Sequence, residues 1–210
     1  VVVHDLSQTN KVVATLAGHR DAVQSIAWSP DGRWLATGGY RKVRLWNSSL
    51  ILARELTALD GRVTALQFAD DNATLFTADG APASSGMVRR WKLSDGARLA
   101  EWRAHGDTIY GMATSRDGRQ LATAGADGVA RVWDSETRKL IAQLEGHHGA
   151  VFGVAFNSDG QRLATASADH ELLVWDLKTR QKATDIGVHK GGVTALRWTS
   201  DDQALVTACE

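Results

Sequence analysis

The chain has 210 residues, enough to bury a sizeable core in a single domain, and its 24 lysines and arginines are matched by 24 aspartates and glutamates. That balance provides no net field to draw the molecule toward nucleic-acid phosphates or an anionic membrane, and no apolar run approaches the roughly 20 residues of a membrane helix. The single cysteine, Cys209, excludes an internal disulfide framework and a zinc site built on paired cysteines. It leaves the compartment open, with the cytoplasm as the working expectation.

Chain order reveals a repeat. The opening VVVHD has the form of a strand that recurs 42 residues later as VRLWN, with His4 where Trp46 stands. Reading therefore begins inside a repeat, a half unit over 1–16 that includes Val13 and Leu16. The first full unit, about 17–58, starts at Gly18-His19 and carries an apolar run Val23–Trp28, the turn Ser29-Pro30-Asp31-Gly32, the strand Leu35-Ala36-Thr37 and the strand ending at Trp46. Trp91, Trp133 and Trp175 follow at intervals of 45, 42 and 42 residues, which divide the rest into units at about 59–103, 104–145 and 146–187 and a closing half unit at 188–210. A second marker keeps the same beat: each of His19, His105, His147 and His189 is followed 18 residues on by threonine, namely Thr37, Thr123, Thr165 and Thr207, and Leu59 stands 18 before Thr77.

Between these markers, apolar stretches of strand length are separated by turns such as Ser115-Arg116-Asp117-Gly118 and Asn157-Ser158-Asp159-Gly160. Aspartate and a left-handed glycine suit hairpin turns, and no segment has a helical period. The first strand of a unit places apolar residues at i, i+3 and i+5 (Val151, Val154, Phe156), the phase slip that a β-bulge produces. Four strands fit each period. So small a sheet cannot bury both faces alone, which predicts an all-β array of sheets stacked radially as a propeller.

These features resemble the WD-repeat β-propeller family, with its Gly-His start, Trp-Asp end and blades of about 40 to 45 residues. The resemblance covers the whole chain and implies four complete four-stranded blades plus two half blades. It implies an open arc of a larger propeller of about seven blades. The alternative is a closed five-bladed ring, in which Val1–Val3 would pair with the strand around Leu205–Thr207.

Histidine, threonine and aspartate in one set suggest a catalytic triad, but His105, Thr123, Asp127 and Trp133 recur 42 residues on as His147, Thr165, Asp169 and Trp175. Chemistry has no reason to be copied once per blade. In similar repeats such residues form a buried hydrogen-bond chain, and that structural network is expected here, with His19, Thr37 and Trp46 as an incomplete version and His189 with Thr207 as a further pair. No catalytic residue, cofactor or metal ligand is assigned. The blade over 59–103 departs most, with Leu59 for histidine, Asp79 out of register, a longer loop Gly80–Gly86, and Arg62, Arg89 and Arg90 nearby.

The resemblance places partner contacts three and five residues after the repeat histidine and beside the turn aspartate. Tyr40, Arg62, Tyr110 and Phe152 are the candidates there, since the other positions are mostly small. The expected function is a non-catalytic protein–protein interaction scaffold, with the regulatory or docking region of a larger multidomain protein as its expected setting. Its partners would be other proteins or other domains of the parent chain, with no nucleic acid and no membrane. Two alternatives are an enzyme or ligand-binding propeller with a site near 59–103, and a nucleic-acid-associated WD module.

Overall fold

The computed structural model describes residues 1–7 and 11–209, with the side chain of residue 188 outside the description. Its regular elements are strands arranged as six antiparallel sheets. The first sheet pairs β1 (Val2–Asp5) with β2 (Lys11–Thr15). Four four-stranded meanders follow. The first contains β3 (Ser25–Trp28), β4 (Trp34–Gly38), β5 (Val43–Asn47) and β6 (Leu52–Leu56), and the second β7 (Arg62–Phe68), β8 (Thr74–Ala81), β9 (Ser85–Lys92) and β10 (Arg98–His105). The third contains β11 (Ile109–Thr114), β12 (Gln120–Gly125), β13 (Ala130–Asp134) and β14 (Leu140–Leu144), and the fourth β15 (Val151–Phe156), β16 (Arg162–Ser167), β17 (Glu171–Asp176) and β18 (Gln181–Val188). A last pair joins β19 (Val193–Trp198) to β20 (Leu205–Cys209). Strand β10 runs on through His105, so one sheet's outer strand delivers the histidine that serves the next.

Period-two alternation gives each sheet a bulky face and a small one. In the second strands Leu35, Leu75, Leu121 and Leu163 face one way, together with Trp46, Trp91, Trp133 and Trp175 opposite them, while Ala36, Ala122 and Ala164 face the other. The core accordingly lies between sheets, where the small face of one receives the bulky face of the next. Ala122, Ala124, Val132 and Leu144 of the third meander pack on Val151, Leu163, Leu173 and Trp175 of the fourth. The same arrangement joins the first meander to the second, the second to the third, and the fourth to β19 and β20.

The inner strands β3, β7, β11, β15 and β19 lie side by side in that order and line a cavity of about 600 Å³. Register shifts between Ile109 and Gly111, Val151 and Gly153, and Val193 and Ala195 supply the expected bulges. Among the described residues β1 pairs only with β2 and β20 only with β19. The β1–β20 pairing that a five-bladed ring requires is not found among the described residues.

Glycine at the bulge lets neighbouring inner strands approach. A Cβ on Gly111 would lie 2.8 Å from the Phe152 carbonyl oxygen, whereas one on Gly153 would meet Leu196 Cδ2 at 2.7 Å, the end of a side chain that can turn. Gly111→Ala should cost about 1–3 kcal/mol and Gly153→Ala less, since backbone cannot move aside as a methyl group can. Urea midpoints of the two variants test this ordering.

Candidate functional site

The hairpin registers place a threonine of each second strand beside the tryptophan of the third. Trp175 Nε1 donates to Thr165 Oγ1 at 2.9 Å, and the same oxygen lies 2.7 Å from His147 Nε2. An indole can only donate and a carboxylate only accept, so Thr165 accepts from Trp175, Nδ1–H of His147 donates to Asp169 at 3.0 Å, and Nε2 of the neutral ring is left to accept the threonine hydrogen. The third meander repeats the set: Trp133 to Thr123 at 3.0 Å, Thr123 to His105 at 2.8 Å, and His105 Nδ1 to Asp127 at 2.9 Å. In the first meander Trp46, Thr37 and His19 are joined at 3.0 and 2.8 Å, but Tyr40 and Arg41 stand where a carboxylate would. Burial, with Arg44 and Lys42 nearby, lowers the His19 pKa and favours its neutral ring.

His189 and Thr207, expected as a further pair, are not hydrogen bonded to one another among the described residues. Thr207 is half-buried on β20.

The second meander solves the same packing problem with charge. Leu59 is fully buried in the histidine position, and Trp91 still donates to Thr77 at 2.9 Å. Arg89, grouped in the sequence reading with arginines beside an exposed loop, is instead buried at 2% exposure. Its guanidinium meets Asp60 at 2.6 Å, Glu101 at 2.6 Å and the fully buried Asp79. Arg90 packs over the Phe76 ring and pairs with Glu136 of the next sheet at 2.5 Å. The sequence does carry a signal for Arg89: arginine two residues before tryptophan recurs as Arg44 and Arg131, and each pairs across to the outer strand, at Glu55 (2.6 Å) and Gln143 (3.0 Å). The stretch read as a long loop, Gly80–Gly86, is largely strand: Ala81 pairs with Ser85, so the insertion lengthens the hairpin.

The four candidate contact residues lie at one end of the sheets. Tyr40 is 53% and Tyr110 40% exposed, Arg62 is exposed, and Phe152 is half-buried. The structure brings them together in two pairs. Tyr110 and Phe152 meet edge to face across adjacent inner strands with centroids 5.3 Å apart, and Tyr40 forms a backbone bridge with Arg62. Tyr40, Arg62 and Tyr110 share a cleft of about 470 Å³ with the Gly80–Pro82 hairpin. For metal, the described residues group only His147, Asp169 and Glu171, and both ring nitrogens of His147 are already engaged.

Sheets of this period, register and polar network define WD-type propeller blades. The chain belongs to the WD40 repeat family: "WD domain, G-beta repeat" matches residues 10–47, 96–134 and 138–176, together more than half of its length. Curated relatives include Cell division cycle 20.1, cofactor of APC complex, of Arabidopsis thaliana, 26% identical over 58% of this chain and 27% of the relative. The WD repeat-containing protein slp1 of Schizosaccharomyces pombe is 27% identical over 54% of this chain and 24% of its own, and the WD repeat-containing protein 3 homolog of Dictyostelium discoideum 27% over 53% and 11%. The chain thus spans about a quarter or less of the length of these relatives.

Burial raises the pKa of Asp127, but hydrogen bonds from His105 and Arg131 outweigh it and hold the carboxyl well below its usual range. A lowered folded-state value stabilises the fold above the ordinary carboxylate pKa of about 3.9, and that contribution disappears as pH falls through the lowered value. Asp127→Asn should therefore be destabilising at pH 7, with the gap to wild type narrowing below pH about 4 in urea titrations. Trp133→Ala and Trp175→Ala should each cost about 3–5 kcal/mol. Arg89→Met should cost a similar amount, about 3–5 kcal/mol, because it strands Asp79 as a buried charge.

Proposed function

We propose that this chain is a non-catalytic interaction scaffold that offers the end bearing Tyr40, Arg62, Tyr110 and Phe152 to another protein or to other domains of its parent polypeptide. The observation that carries the reading is the Tyr110–Phe152 pair: two aromatic rings from adjacent inner strands, held edge to face on a rigid frame and still open to solvent in part. Aromatics fixed by a scaffold lose little side-chain entropy on contact, which suits them as anchors.

The repeated polar groups support the same reading from the other side. In the two complete networks the hydroxyl beside each histidine belongs to a fully buried threonine that already accepts from a tryptophan, which leaves no nucleophile open to a substrate. In the blade over 59–103, where an enzyme or ligand site was the alternative, Arg89 is consumed internally. Charge balance counts against a nucleic-acid reader. Relatives named as cofactors of the APC complex fit an adaptor that works through protein contacts.

Replacing Tyr110 and Phe152 together by alanine should weaken capture of a bound partner at least about tenfold while the circular dichroism spectrum stays native. Undiminished capture by the double variant would remove this face from consideration.

A further inference from the structure

The cleft between Tyr40, Arg62, Tyr110 and the lengthened hairpin has an imbalance of donors over acceptors. Arg62 is exposed and makes no ion pair or side-chain hydrogen bond among the described residues. The carboxylate lining the same cleft, Asp60, is already held by Arg89 at 2.6 Å. Asp21 borders a smaller adjoining cleft with Tyr40 and Arg62 but forms no ion pair with the arginine. The Tyr40 and Tyr110 hydroxyls have no partner among the described residues, and the buried hydroxyl of Thr108, which also lines the cleft, has none either.

The backbone around Arg62 is fixed from both sides. Arg41 N donates to the Gly61 carbonyl at 2.8 Å and Val63 N to that of Gly39 at 3.0 Å, so two neighbouring sheets clamp the residue. The hairpin that walls the cleft is braced by the segment leading into the following sheet, with Ala83 N donating to Asp107 at 2.7 Å, and by its own outer strand, with Arg103 donating to the Ser84 carbonyl at 2.7 Å. A guanidinium carried on fixed backbone, with no internal counter-ion, is matched by a carboxylate, which it can bind through two parallel hydrogen bonds.

We infer that this cleft takes an acidic side chain of a protein partner, with Arg62 binding the carboxylate and the Tyr110–Phe152 pair receiving the apolar residue beside it. The inference rests on the contact-face reading above and adds to it the chemistry of the occupant. The lengthened hairpin sets this cleft apart from the corresponding position in the third meander, where Ala124 and Ala130 close the β12–β13 turn with no such wall.

The test uses two pools of random peptides with capped ends, identical except that glutamate in one is replaced by glutamine in the other, passed over the immobilised chain at physiological ionic strength. The wild type should retain the glutamate pool about tenfold better. Arg62→Ala should abolish that preference. Arg33→Ala, at another exposed arginine at the opposite end of the first meander, should leave it intact, and so should excess inorganic phosphate. No retention of either pool, equal retention of both, a preference that survives Arg62→Ala, or one lost equally in Arg33→Ala would overturn the inference. Displacement by phosphate would overturn the choice of carboxylate. If Tyr110→Ala/Phe152→Ala lowers retention of both pools while Arg62→Ala changes neither, the contact face stands and the acid preference falls.

Discussion

When a tryptophan ring is buried between two sheets, its N–H is carried into the core and must be met there by an acceptor. In each four-stranded sheet that acceptor is a buried threonine on the preceding strand, at 2.9 to 3.0 Å. The threonine can reach it only if leucine pairs with tryptophan across the hairpin, as Leu35, Leu75, Leu121 and Leu163 do. One hydrogen bond thereby constrains strand register. Register in turn decides which face is bulky and which is small, and so how one sheet seats on the next. The histidine and aspartate complete the chain by satisfying the threonine hydroxyl and tying the loop before each inner strand to the turn between the second and third.

The second meander shows that the network can be altered without losing the constraint. Leucine replaces the imidazole, the tryptophan–threonine bond remains, and an arginine with three carboxylates does the tying. Buried ion clusters of this kind are close to neutral in stability compared with apolar packing, because desolvation offsets much of the attraction. Their positional effect is the larger one here. Asp79 accepts from the Asp60 amide at 2.6 Å, so the segment leading into Arg62 is anchored from within, and Asp60 is paired with Arg89 at the rim of the cleft.

The repeated polar networks are thus directed inward, while Tyr40, Arg62 and Tyr110 stand exposed beside one end of the inner strands. A frame in which each four-stranded sheet is held by both neighbours moves little at its loops' bases, which suits recognition by preformed shape. The glycines of the bulged strands contribute by letting those strands approach closely enough to set Tyr110 against Phe152.

Much of this was legible in the amino-acid order because it is local and repeated. Alternation gives the strands, Asp-Gly turns give the hairpins, and the 18-residue spacing from histidine to threonine gives most of the network. The inward course of Arg89 was not legible, since an arginine two residues before a tryptophan is compatible with a surface strand until the neighbouring sheet buries it. Nor was the lengthening of β8 and β9, because small residues such as Ala81 and Ser85 carry no signal separating loop from hairpin. The pairings of Tyr110 with Phe152 and Tyr40 with Arg62 join residues of different blades, and only the packing of one sheet on the next brings them together. His189 and Thr207 share the spacing of the true pairs without the bond, because spacing sets position along the chain and not the side-chain geometry that a hydrogen bond needs.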